Sequence, residues 1–117
     1  MFKTFLRAAA IAVAVLTANY PQTSFADGFT SADLLKWKKT SQDSYFSTSI
    51  GMAGVIASQN RREVARCIDE WYFADKSKQR DRNQFIRDTL RTYPDFDPQA
   101  TILAIVQKVC GKLAESG

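Results

Sequence analysis

The sequence predicts an all-α fold, a small bundle of about five helices closed by one disulfide, after a cleaved signal peptide. Apolar residues recur at helical spacing through most of the chain, and no stretch shows the alternation typical of a half-buried strand. Only 5 glycines and 3 prolines interrupt the 117 residues, so we expect short connections between the helices.

The first residues have the layout of a secretory signal peptide. Lys3 and Arg7 supply a positive start, Ala8–Leu16 is an unbroken apolar run, and Ser24-Phe25-Ala26 places small residues before a cleavage site. A transmembrane anchor is the alternative, but the apolar run is far shorter than the ~20 residues that span a bilayer. We therefore expect residues 1–26 to be removed in secretion to the periplasm, with no stable membrane anchor left.

Residues 27–117 are the length of a single helical domain. Without the signal peptide the chain holds 14 basic and 12 acidic residues, a net charge of +2. This mild charge gives no reason to expect a nucleic acid partner.

The first two helices are expected at Ser31–Thr40, with Ser31 as N-cap, and at Ser41–Ser58, with Ser41 as N-cap. The second has two adjacent apolar stripes and should be central, buried on most of its circumference. Gly51 and Gly54 lie on one side of it, where we expect close packing against a neighbouring element. One stripe consists of Tyr45, Ser49, Met52 and Ile56. The other consists of Phe46, Ile50, Ala53 and Ala57.

A third helix, Arg62–Tyr72, follows an Asn60–Glu63 capping-box pattern. Its apolar stripe is Val64, Cys67, Ile68, Trp71 and Tyr72.

The polar segment Ala74–Asp81 is interpreted as an exposed loop. A fourth helix should begin with an N-cap at Asp81 and end before Pro94, because the residue before proline avoids helical geometry. Its expected inner face is Phe85, Ile86, Leu90 and Tyr93.

Asp97 and Pro98 are a typical N-cap and first position for a last, strongly apolar helix. Its expected apolar members are Ile102, Leu103, Ile105, Val106, Val109, Cys110 and Leu113.

Two cysteines in a secreted chain indicate a disulfide, and only Cys67 with Cys110 is possible. Two separate buried thiols are the alternative. The chain has no histidine, no nucleophile elbow, no phosphate loop and no dinucleotide motif. Asp95 and Asp97 lack the ligand pattern of a calcium loop. We therefore expect no enzyme activity, no metal site and no cofactor.

Tyr45-Phe46 followed by Ile50-Gly51-Met52-Ala53-Gly54-Val55 resembles the aromatic-then-glycine helix of the Tai/Rap-type immunity proteins of bacterial type VI secretion. Phe85–Cys110 is similar to that family's last two helices in order and spacing, and Cys67 and Cys110 occupy matching cysteine positions. The resemblance spans roughly Leu34–Leu113 and implies a periplasmic helical protein that binds and blocks a cell-wall amidase.

A protein partner is therefore expected, with a peptidoglycan amidase as the partner that the resemblance implies, and homodimerisation is left open. The alternatives are an HdeA-like periplasmic acid-stress chaperone and a non-catalytic subunit of an envelope complex. Our hypothesis for the partner surface is a set of six cations expected to be exposed: Lys76, Lys78, Arg80, Arg82, Arg62 and Arg66.

Overall fold

The computed structural model describes residues 28–115 and contains five α-helices, a π-helical segment and, within this range, no strand. The predicted all-α class and helix number are confirmed. The expected signal peptide, residues 1–26, lies outside the described residues. None of the described helices combines the length and the apolar character that a membrane crossing requires. The elements are α1 (Ser31–Leu35), α2 (Lys39–Asn60), α3 (Arg62–Ile68), the π-helical segment (Asp69–Phe73), α4 (Lys76–Thr92) and α5 (Pro98–Cys110).

Helix α2 is the central element, and it packs against α3 on one side and α5 on another. One predicted stripe is confirmed as core, since Phe46, Ile50, Ala53 and Ala57 are all buried. The other stripe is not, because Met52 and Ile56 are 56% and 41% exposed. The expectation that α2 is buried on most of its circumference is therefore wrong, since one apolar side faces solvent.

The N-terminal caps differ from those expected. Thr30 rather than Ser31 caps α1, and it forms a capping box with Asp33. These hydrogen bonds from Thr30 hold the pKa of Asp33 below its ordinary value. Helix α1 ends at Leu35 instead of Thr40, and α2 begins at Lys39 instead of at a cap on Ser41. The Gln42 Nε2 donates to the carbonyl of Leu35, the last residue of α1, and to that of Trp37 in the following turn, which stabilises the chain where α1 ends.

Asn60 does not cap α3, because it is the last residue of α2 and its side chain donates back to the carbonyl of Ile56 at 2.8 Å. The extended residue Arg61 separates the two helices. The predicted stripe beyond this break is largely confirmed, since Val64, Ile68 and Tyr72 are buried.

The interpretation of Ala74–Asp81 as a loop is wrong, because α4 already begins at Lys76. Asp75 is its N-cap, and the carboxylate accepts from the backbone N–H of Ser77 at 2.8 Å and of Lys78 at 3.4 Å. An exposed first turn needs no apolar residue, which explains why apolar periodicity failed to detect it.

The inner face of α4 also differs from the expected one. Ile86 and Leu90 are buried as predicted, but Phe85 and Tyr93 are 51% and 48% exposed. Two polar side chains, Asn83 and Arg87, take their place in the interior. The helix ends at Thr92, before Pro94, as expected.

Helix α5 begins as predicted, with Pro98 at its first position and Asp97 as N-cap accepting from the Gln99 N–H at 2.7 Å. The predicted disulfide is confirmed. Cys67 of α3 is bonded to Cys110 at the end of α5, with their Cα atoms 5.6 Å apart. Of the expected apolar members of α5, Leu103 and Val109 are 38% and 44% exposed.

Candidate partner-binding surface

The six cations of the predicted partner surface do not lie on one loop. Arg62 and Arg66 are one turn apart on α3, and the other four occupy the first two turns of α4. At about 100° per residue, Lys76 and Arg80 share one side of α4, whereas Lys78 and Arg82 lie on nearly the opposite side. The helical structure therefore divides the four α4 cations into two pairs.

Arg82 differs from the other five cations because its guanidinium has partners within the protein. Its Nε donates to the carbonyl oxygen of Trp71 at 3.2 Å, and its Cζ lies 5.2 Å from the centre of the Trp71 ring. This is a cation–π arrangement as well as a hydrogen bond, and it joins α4 to the π-helical segment. Arg82 is half-buried, whereas the remaining five cations are exposed.

A second candidate surface is an apolar groove between α4 and α5, which the sequence did not indicate. The groove is open to solvent and has a volume of about 620 Å³. Three aromatic side chains form much of its wall, and Phe85, Tyr93 and Phe96 are 51%, 48% and 60% exposed. Two alanines, Ala100 and Ala104, line the groove from α5. We call this feature the α4–α5 groove; its other lining residues are Thr89, Asp97, Thr101, Ile105 and Lys108.

The aromatic end of the groove is held in place by α1. The backbone N–H of Ser31 donates to the carbonyl oxygen of Phe96 at 2.8 Å, and the Ser31 hydroxyl donates to the same oxygen at 3.0 Å. Next to it, the N–H of Ala32 donates to the carbonyl of Pro94 at 3.0 Å. The turn that carries Phe96 is thus anchored by three hydrogen bonds from a distant part of the chain.

The orientation of α4 is set by polar contacts on the side away from the groove. The Arg87 Nε donates to Gln42 Oε1 at 2.8 Å, and its Nη2 forms an ion pair with Asp43 at 2.5 Å. The Tyr72 hydroxyl donates to Asn83 Oδ1 at 2.5 Å. These contacts turn Asn83 and Arg87 inward, which leaves Phe85 and Tyr93 on the groove side of the helix.

The groove has one charge of each sign on its wall. Asp97 lies at the N-terminus of α5 and Lys108 near its C-terminus, eleven positions along the chain. At about 1.5 Å per residue this separates them by about 16 Å along the helix. The Thr89 hydroxyl is already engaged, because it donates to the carbonyl of Phe85 at 2.9 Å.

A further aromatic cluster lies beside α1, made of Phe29, Trp37 and Tyr45. Their ring centres are 5.2 to 6.1 Å apart. Phe29 and Trp37 are 39% and 45% exposed. The pKa of Tyr45 is raised, first by burial of its hydroxyl and then by the negative charge of Asp97.

Among residues 28–115, no group of three or more histidine, cysteine, aspartate or glutamate side chains is arranged to hold a metal ion. No protein-family model, curated protein or solved structure matches the chain.

Proposed function

We propose that the protein is a non-catalytic, secreted binding protein of the periplasm, and that its partner is a cell-wall amidase that it inhibits by covering the active site. The class of partner follows from the resemblance of the glycine-containing helix and of Phe85–Cys110 to the Tai/Rap-type immunity proteins. The compartment follows from the signal-peptide layout of residues 1–26.

The α4–α5 groove is the observation that carries the binding part of this proposal. Phe85, Tyr93 and Phe96 expose large aromatic surfaces side by side, and clustered apolar exposure of this kind marks interaction sites in small proteins. Aromatic side chains are enriched in protein interfaces, and tyrosine is enriched among the few residues that dominate the binding energy. The hydrogen bonds to Phe96 and the buried partners of α4 provide that rigidity.

The exposed cations have a separate role in this proposal. An exposed cation accelerates association with an acidic partner more than it strengthens the final complex. Exposed Lys78 lies on the side of α4 that carries Phe85 and Thr89, whereas Lys76 and Arg80 lie on the opposite side. We therefore place Lys78 at the rim of the groove.

The test is capture of partners by the oxidised chain 27–117 from a periplasmic extract at neutral pH, identified by mass spectrometry. We expect one stoichiometric cell-wall amidase, with its hydrolysis of peptidoglycan abolished in the complex. Capture of many unfolded clients only after acidification would instead favour the HdeA-like chaperone. A stable envelope complex without a hydrolase would favour the structural-subunit alternative, and either outcome would overturn the amidase proposal.

Charge reversal then tests the role of the cations. The variant Lys78→Glu should slow association about threefold or more at low ionic strength and leave dissociation nearly unchanged. Lys76→Glu changes the charge equally on the opposite side of α4 and is the matched control. Equal effects of the two variants would show that net charge alone matters, and the rim assignment would then be wrong.

A further inference from the structure

We propose that the turn between α1 and α2 is a docking surface for the anionic phospholipids of a membrane, to which the protein attaches peripherally and reversibly. The surface combines the aromatic cluster beside α1 with two lysines that follow it in the chain. We call it the aromatic–lysine surface, and its members are Phe29, Trp37, Lys38, Lys39 and Tyr45. This inference goes beyond the proposed function and does not depend on an amidase.

The two lysines do not stabilise the helix that they begin. Lys38 is the N-cap of α2 but forms no capping hydrogen bond through its side chain, and Lys39 is the first residue of the helix. The N-terminus of a helix carries partial positive charge, which makes cations unfavourable there, and the first turn of α2 has no acidic residue to offset them. Among residues 28–115 neither lysine forms an ion pair. Their charges are therefore available to an anionic partner.

The neighbouring charges leave this region positive. Lys36 is also exposed, but its Nζ lies 3.9 Å from Asp33 Oδ1, so this pair adds no net charge. Asp97 faces the cluster closely enough to raise the pKa of Tyr45, and its side chain already caps α5. The two lysines of the surface thus outnumber the one carboxylate beside it that has no cationic partner in residues 28–115.

The aromatic rings present an apolar edge next to these charges. Tyr45 packs against the hydrophobic core, and the Trp37 ring centre lies 6.0 Å from Tyr45 and 5.2 Å from Phe29. Within the described chain the indole N–H of Trp37 has no acceptor, so it is free to donate to a lipid oxygen. Tryptophan and tyrosine are enriched at membrane–water interfaces, where an apolar ring with a polar tip suits the headgroup layer.

The combination of features favours a lipid surface over an acidic protein segment. An anionic bilayer offers many negative charges in one plane and an apolar layer beneath them, whereas an acidic protein surface offers only the charges. Each lysine near such a bilayer strengthens binding about fivefold, and a partly inserted ring adds to this. Lys38 is seven positions before Tyr45, almost two helical turns, so charge and ring lie on the same side of α2.

The experiment uses the oxidised chain 27–117 with the change Trp71→Phe, which leaves Trp37 as the single tryptophan. The probe is a vesicle of phosphatidylcholine with about 30% phosphatidylglycerol, and a vesicle of phosphatidylcholine alone is the control. In flotation we expect binding to the anionic vesicle that weakens at high salt, and little binding to the control. The fluorescence of Trp37 should shift to the blue and be quenched by brominated lipid.

Variants of the protein test the location by flotation. Lys38→Gln/Lys39→Gln should weaken binding about tenfold or more. Lys76→Gln/Arg80→Gln removes the same charge from exposed positions of α4 and should change binding less than about threefold.

The role of the rings is tested in the same way. Trp37→Ala should weaken binding about fivefold or more, and Phe29→Ala should do so if Trp37→Ala folds poorly. Phe73→Ala removes a ring that is 41% exposed in the π-helical segment, and it should have no effect.

Four outcomes would overturn the inference: no binding to either vesicle, equal binding to both, equal effects of the two double variants, or bound protein whose Trp37 is not quenched. Binding of a soluble acidic peptide such as oligoglutamate without binding to vesicles would also overturn it, because the partner would then be an acidic protein segment. Vesicle binding without capture of an amidase removes only the proposed function. Amidase capture without vesicle binding removes only the membrane inference.

Discussion

Arg87 and Gln42, 45 residues apart in the chain, are joined by a buried hydrogen bond of 2.8 Å from Nε to Oε1. The same Gln42 side chain donates to the carbonyls of Leu35 and Trp37 at 3.1 and 2.9 Å. The guanidinium also lies 5.6 Å from the centre of the Phe46 ring. This pair therefore connects α1, α2 and α4 in the interior.

Arg87→Met should lower the free energy of unfolding by about 2 to 4 kcal/mol, because it leaves Gln42 Oε1 and the Asp43 carboxylate without their partner. Arg91→Met is the matched control, since Arg91 is one turn away, 56% exposed in its side chain and paired with the exposed Asp88. Its effect should stay within about 0.5 kcal/mol. Urea unfolding at pH 7 measures both, and similar losses in the two variants would contradict a structural role for the buried network.

Reduction of the disulfide should lower the free energy of unfolding by about 4 kcal/mol in the chain-entropy model, given the sequence separation of 43 residues. The double variant Cys67→Ala/Cys110→Ala should show the same loss and no further response to a reductant. Urea unfolding with and without the reductant checks this. A reductant effect that persists in the double variant would mean that the bond is not its cause.

Two glycines of α2 can be replaced with a gain in stability. A Cβ added at Gly51 would meet the Phe73 ring at 3.8 Å, and one at Gly54 would meet Ile68 at 3.7 Å, which are ordinary contact distances. Each change to alanine should therefore stabilise the fold by about 0.5 to 1 kcal/mol through helix propensity. Thermal unfolding of each variant measures this gain.

Gly111→Ala provides the opposite case. Gly111 has a φ of 109°, a conformation that side chains other than glycine rarely adopt, and its added Cβ would lie 3.5 Å from Val64. This change should destabilise by about 1 to 3 kcal/mol. A stabilising effect of Gly111→Ala would contradict the described end of α5.

Tyr72 should make the protein sensitive to alkali. Burial raises the pKa of its hydroxyl to about 12. The unfolded chain loses this proton near its ordinary value of about 10, while the folded chain retains it. Tyr72 thus contributes about 2 to 3 kcal/mol to the free energy of unfolding through this shift. The contribution is complete below about pH 10 and is lost as the pH rises toward 12.

Tyr72→Phe separates this effect from other titrations. The variant should be about 1 kcal/mol less stable at pH 7, because Asn83 Oδ1 loses its donor. Its stability should then fall less steeply than that of the wild type between pH 10 and 12. Parallel curves for the two proteins, measured by urea unfolding across this range, would show that Tyr72 does not carry the alkaline loss.

The helices were predictable because local signals specify them, and the disulfide was predictable because the chain has two cysteines. Each of these signals lies within a few residues of sequence. Asp97 and Pro98 mark the start of α5, and Pro94 marks the end of α4. The spacing of Val64, Ile68 and Tyr72 marks a buried helical face. The inner face of α4 was not predictable in this way. Periodicity is satisfied equally by Phe85 with Tyr93 or by Asn83 with Arg87, and the choice depends on Tyr72 and Gln42, 11 and 45 residues away.

The groove was missed for the same reason. Once α4 is turned so that Arg87 lies inside, Phe85 and Tyr93 must face outward, and the exposed wall follows. The start of α4 was missed because its first turn is polar throughout, although Asp75 was a cap signal that could have identified it. Polar segments bounded by such caps are helix candidates even without an apolar stripe.

The hydrogen bonds from Ser31 and Ala32 to the turn at Phe96 also bear on the order in which the chain becomes protected from solvent exchange. A helix of five residues is too short to persist alone, so α1 depends on contacts made 65 residues later in the chain. The amides of Ser31 and Ala32 are held by the carbonyls of Phe96 and Pro94. Their hydrogen–deuterium exchange therefore reports on the turn between α4 and α5. Local opening of this turn would break these hydrogen bonds and expose both amides to exchange.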